Sequence, residues 1–203
     1  MDSRRERKKQ QTRRLISEAA LKLFAEQGYE QTTVAQIAAA ADVATKTFFN
    51  HFPSKEDVFF TDNAHYGSKI PIEVIATRHP DEAIPDLLTR AYEAAIGTYL
   101  SDGPGLDDPD MVAAYMSLIR SVPALQAKAL HKAHEIQREV AAALLAAYPD
   151  ELDPISAAAL VGSVAGAAQA ASLAALERGE GQEKMWEAMR RAIDIALHGL
   201  PKS

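Results

Sequence analysis

The residues of this chain best suited to chemistry are Thr45, Lys46, Phe49 and Asn50, followed by Lys55. Spacings of three and four residues put the first four on one side of a short helix, opposite Phe48 and Phe52. Hydroxyl, ammonium and amide groups on such a face can meet base edges and phosphates in a major groove. Lys55, expected in the first turn of the next helix, would add its charge to free backbone N–H groups converging on one phosphate. No catalytic constellation competes, because the chain lacks a glycine-rich phosphate loop, a nucleophile elbow and a metal-spaced His/Glu motif. His131, His134 and Glu135 share their helix with Lys128, Lys132 and Arg138, which marks a solvated charged face; no metal site and no cofactor are expected.

Positioning those side chains requires a capped helix, a tight turn and a second helix. Thr33 is placed to N-cap a helix beginning at Val34, with Gln36 completing a capping box. Val34, Ile37, Ala38 and Ala41 form its apolar face, and Asp42-Val43-Ala44 is a turn of helix-turn-helix length. The following helix, Thr45 to His51, stops before Pro53; Ser54 caps the next, with Asp57 as its partner. Upstream, a helix from about Thr12 to Gln27 carries Leu15, Ile16, Ala19, Ala20, Leu23 and Phe24 and ends at Gly28, so its stripe covers the two-helix motif.

Thr33, Ile37, Ala38, Ala41, Val43, Thr47, Phe52 and Lys55 fall in register on the pattern T-x-x-x-I-A-x-x-A-G-V-S-x-x-T-x-Y-x-x-F-x-x-K. In this the chain resembles the TetR family of bacterial transcriptional regulators. The resemblance implies an all-α protein with an N-terminal three-helix DNA-binding domain and a C-terminal helical domain for ligand binding and dimerisation. It implies DNA contacts from Thr33, Thr45, Lys46, Thr47, Phe49, Asn50, His51 and Lys55, and a ligand-responsive homodimeric repressor released from a palindromic operator by a small-molecule effector. In the family the helix after the motif transmits ligand binding. Three positions depart from the pattern: Asp42 stands for Gly, Ala44 for a capping Ser worth about 1 kcal/mol, and Phe49 for a Tyr whose hydroxyl would reach a phosphate.

Charge divides the chain the same way. Residues 1–55 hold ten Lys/Arg against six Asp/Glu, +4, and residues 56–203 hold twelve against twenty-two, −10, giving the overall −6. A basic head on an acidic body presents one end to a polyanion. The boundary is expected at Ser54, with residues 1–54 as DNA-binding domain and basic arm, and 55–203 as effector and dimerisation domain. Residues 1–11, MDSRRERKKQQ, read either as a frayed terminus or as an arm along the DNA. The absence of cysteine and of a secretory signal points to a cytoplasmic protein.

In the larger part, helices are expected from Lys55 to about Gly67, Asp81 to Ser101, Asp110 to Val122, Ala124 to Tyr148, Ile155 to Leu176 and Gln182 to His198, whereas Ile70 to His79, between Pro71 and Pro80, looks too broken. Candidate effector contacts are His65, Tyr66, Tyr92, Tyr99, Tyr115, Met116, Arg120 and Gln169. Ile155 to Leu176 has no charged residue but is built of Ala, Ser and Gly, so a wholly buried helix is expected in place of a membrane span. The resemblance implies that the last two helices form a four-helix bundle with a second copy, through Gly162, Ala165, Gly166, Gln169, Trp186, Met189 and Ile193. A competing reading is a small-molecule or acyl-chain binding bundle whose head has lost DNA binding, as Ala44 and Phe49 would suggest.

Overall fold

The computed structural model describes residues 4–60, 65–102 and 117–200, and all regular elements among them are helices. The chain divides into two compact units, residues 1–61 with 106–131 and residues 62–105 with 132–203. The first unit therefore reaches past Ser54 and takes in a second stretch of chain.

Three α-helices open the first unit: α1 (Arg4–Gln27), α2 (Val34–Ala40) and α3 (Thr45–His51). α1 starts two turns before Thr12, so most of the basic run is helix; it contains no Gly or Pro, and Arg, Lys and Gln are good helix formers. Gly28 ends α1 at φ +86°, a conformation that costs glycine little. The core joins Ile16, Ala20 and Phe24 of α1 to Ile37, Ala38, Phe48 and Phe52. Val58, Phe59 and Phe60 enter from a 3₁₀ turn, Glu56–Phe60, and Phe59 stacks on Phe24 at 4.9 Å. The α-helix expected from Lys55 to Gly67 is thus replaced at its start by bends at 53–55 and this tighter turn, which aims three consecutive apolar side chains inward. Val122 and Leu125 complete the core, the latter from the start of α6, Pro123–Ala147.

In the second unit a π-helical segment, His65–Lys69, leads into α4, Ile70–Ala76. This helix corrects the reading of 70–79 as broken: Pro71 lies in the first turn, where its missing N–H breaks no hydrogen bond. α5 (Ile84–Asp102), the rest of α6, α7 (Pro154–Glu177) and α8 (Gln182–His198) enclose Ile75, Leu87, Leu88, Val140, Leu144, Val161, Val164 and Ile193. Of the helix expected from Asp110 to Val122, residues 117–121 are helical, Val122 follows them outside the helix, and 110–116 lie outside the described residues. Asp153 caps α7 by accepting from Ser156 N at 2.7 Å. α7 corrects a second expectation, because only 22% of its apolar window is buried. One face, with Ala157, Val161, Val164, Ala168 and Ala175, packs inward; Ile155 on another is 81% exposed. By length and composition alone α7 is the one described helix that could cross a membrane.

Candidate nucleic-acid interface

The two-helix motif forms as its residues dictate. Thr33 Oγ1 accepts from Gln36 N at 3.3 Å, and Thr33 N donates to Gln36 Oε1 at 2.8 Å, so both members of the capping box are present. At the turn, Asp42 takes φ +53° and Val43 N donates to Ala38 O at 2.9 Å. Asp tolerates that left-handed backbone better than most residues, which is how the turn survives without glycine. Ala44 occupies the N-cap of α3 in extended conformation, with no side-chain hydrogen bond to the first turn.

α3 is held from behind. Phe48 and Phe52 are fully buried with ring centroids 5.7 Å apart. Arg13 of α1 donates from Nη1 to His51 O at 3.1 Å, and its guanidinium lies 4.5 Å from the centre of the Phe52 ring. A cation thus satisfies a carbonyl at the end of α3, where the helix dipole is negative. Arg13 and His51 are 38 residues apart, and no local pattern announces the pair. The outer face carries Thr45, Lys46 and Asn50, all exposed, with Phe49 52% exposed and edge-on to Phe48; Thr47 and His51 are half-buried. Burial pushes the His51 imidazole below its ordinary value, and the nearby charges of Arg13 and Lys9 push it further.

Lys55 does more inside the head than its position suggests. Its Nζ donates to Tyr29 O at 2.9 Å and Thr32 O at 3.2 Å and sits 4.0 Å from the centre of the Tyr29 ring. Two of its three N–H groups are therefore committed to the α1–α2 loop, and it lies in a bend before the 3₁₀ turn. Tyr29 Oη donates to Glu56 Oε1; burial, then this carboxylate, raises the phenol pKa. Buried Thr32 closes the same loop by donating to Gly28 O at 2.8 Å. Next to it Ser54 Oγ donates to Asp57 Oδ2 at 2.7 Å, and Lys128 of α6 pairs with Asp57 Oδ1 at 2.8 Å. Burial alone would raise the Asp57 pKa, but the Lys128 and Ser54 hydrogen bonds outweigh it and the pKa falls.

Three of the effector candidates, Tyr92, Arg120 and Gln169, have side chains among the described residues. Tyr92 packs half-buried on the second unit's core, where burial pushes its phenol up to about 12. Gln169 is exposed on α7, and Arg120 is exposed in the first unit. His65, Tyr66 and Tyr99 lie on helical backbone, their side chains outside the description; Tyr115 and Met116 lie outside the described residues. An open groove of about 620 Å³ between α6 and α7, lined by His134, Arg138, Leu145 and Ala158 among others, includes none of them. Glu135, beside His134, is paired with Lys132 at 2.8 Å. Of the dimer candidates, Ile193 is buried in the second unit's own core and Met189 packs against it. Gly162, Ala165 and Trp186 are half-buried, and Gly166 is exposed.

Comparison with known proteins bears on the same stretch. Residues 16–61, from the buried face of α1 through the 3₁₀ turn, match the family described as bacterial regulatory proteins, tetR family. The chain belongs to the TetR family. Its relatives include the HTH-type transcriptional regulator TcmR of Streptomyces glaucescens, 34% identical over 151 residues, 73% of this chain and 66% of TcmR. Another is HbdR of Aromatoleum sp. (strain CIB), 37% identical over 79 residues, 37% of this chain and 34% of HbdR. The matched stretches thus span under two thirds of TcmR and about a third of HbdR. Among solved structures, Thermus thermophilus FadR, a TetR family repressor in complex with lauroyl-CoA, shares the fold at a TM-score of 0.53, with 22% identity over 94% of this chain and 96% of that one. A TetR-family regulator from Mesorhizobium loti gives 0.55, with 15% identity over 93% of this chain and 96% of that chain. The TetR fold extends through both units, while the family match lies within the first.

Proposed function

We propose that this TetR-family chain is a homodimeric DNA-binding transcriptional regulator, a repressor whose α3 reads each half of a palindromic operator and which a small-molecule effector releases. The observation that carries the reading is α3 itself. Its back is locked by Phe48, Phe52 and Arg13, and its front leaves Thr45, Lys46, Phe49 and Asn50 free for base edges and phosphates. Thr33, Thr47 and His51 border this face, and Lys55 supports it from within. Such a protein acts where the DNA is, in the cytoplasm.

Release requires the effector to favour one of two states; affinity alone shifts nothing. The effector belongs to the second unit, where the Tyr92 phenol in apolar surroundings offers a polar contact. The second copy belongs on α7. Its inward face is already filled, and side chains added at Gly162 and Gly166 would meet nothing within 4 Å in the chain itself. A partner helix would cover the exposed small residues and Ile155, in place of a membrane.

Selection of bound sequences from a random duplex pool tests the reading. An inverted repeat with α3-sized half-sites is the expected product. A pool without enrichment, from folded protein at low salt, would overturn it in favour of a helical bundle that binds small molecules alone.

A further inference from the structure

α1 turns one face to the core of the first unit: Ile16, Ala20 and Phe24, at four-residue intervals, are at most 1% exposed. Followed toward the N-terminus in steps of three and four residues, that face leads to Arg13, then Lys9, then the position of Arg5. No apolar residue occurs between Arg4 and Thr12, so the face changes from core to cation on the N-terminal side of Ile16. Arg13 marks the transition, bonded to His51 O and stacked on Phe52 at the end of α3. One turn further on, Lys9 is exposed. Its charge is close enough to α3 to help depress the His51 imidazole. Arg13 and Lys9 thus lie on the side of α1 that meets α3. From Arg13 to Arg5 the helix rises about 12 Å, enough to pass roughly three phosphates of one strand at ~3.4 Å of axial rise each.

We propose that the first two turns of α1 are a second DNA contact, with Lys9 on a phosphate just outside the groove entered by α3. The inference rests on the reading of α3 as the DNA-contacting helix. Lys9 supplies charge without sequence information, since a phosphate contact positions the protein and does not specify a base. Folding does not depend on it, because its side chain lies in solvent.

The test uses full-length protein on the duplex selected from the random pool, with Lys9→Gln, Lys9→Glu and Lys46→Ala compared by salt titration and hydroxyl-radical footprinting. Circular dichroism verifies that each variant is folded. Lys9→Gln is expected to flatten the slope of log K against log salt by about 0.9 per half-site and to shorten the footprint at its outer edges, with the preferred sequence unchanged. Lys9→Glu is expected to weaken binding further. Wild-type slope and footprint in both Lys9 variants, with Lys46→Ala impaired, would overturn this inference and leave the reading of α3 standing. Failure of wild-type protein to select any duplex would overturn both.

Discussion

Phe49 carries the sharpest consequence at the scale of single residues. Its ring is half exposed at the middle of the outer face, and a para hydroxyl there would point toward the proposed DNA backbone. A hydrogen bond to a charged group contributes about 1.5–3 kcal/mol when well formed. Phe49→Tyr is therefore expected to tighten operator binding by roughly tenfold in fluorescence anisotropy at fixed salt, with thermal stability unchanged. Lys55 should behave in the opposite way. Its two carbonyl bonds and its place over the Tyr29 ring hold the loop that delivers α2, so Lys55→Met is expected to destabilise the head by about 1–2 kcal/mol. Exposed Lys46, changed to Ala, should leave the melting temperature alone and weaken DNA binding. Paired thermal melts and binding curves separate the two lysines; equal melting temperatures would show that Lys55 has no internal role.

At the scale of elements, the turn and the caps can be tested one residue at a time. Ala44→Ser is expected to add the missing N-cap of α3 and stabilise the protein by about 1 kcal/mol in urea unfolding. The Asp57–Lys128 pair joins the 3₁₀ turn to α6 and should depend on pH. Asp57 has its pKa lowered in the fold, so the pair contributes fully above the unfolded value of about 3.9 and is lost as pH falls through the lower folded value. Lys128→Met is expected to cost about 1–2 kcal/mol at pH 7, and the gap to wild type should close below about pH 4. Much at this scale was legible in advance. α2, α3 and α8 begin and end where Thr33, Ala44, Pro53 and the spacing of Met185, Met189 and Ile193 place them, because those signals are local. α4 was hidden by Pro71, which reads as a breaker unless it is known to stand in a first turn. The contacts of Lys55 with Tyr29 and of Lys128 with Asp57 join residues far apart in the chain, and no periodicity records them.

For the whole molecule the decisive quantity is how many copies it needs. Gly162→Glu is expected to fold, since nothing in its own chain stands within 4 Å of the added Cβ, but to sediment as monomer where wild type sediments as dimer. An unpaired charge buried between two copies of α7 would cost several kcal/mol. A dimeric variant at micromolar concentration would place the interface elsewhere. The discontinuity of the first unit carries a different consequence, for engineering. Val122 and Leu125 are core residues of the head, yet they enter the chain after α5, and Leu125 belongs to the helix whose later turns hold Val140 and Leu144 in the other core. The reading head is therefore not a detachable cassette. A fragment ending near Thr61 would expose the ground on which those two side chains sit, and a chimera that grafts residues 1–61 onto another family member would inherit that member's version of positions 118–129. Exchange of DNA specificity between relatives should succeed when the graft is confined to the outer face of α3, or when both stretches travel together.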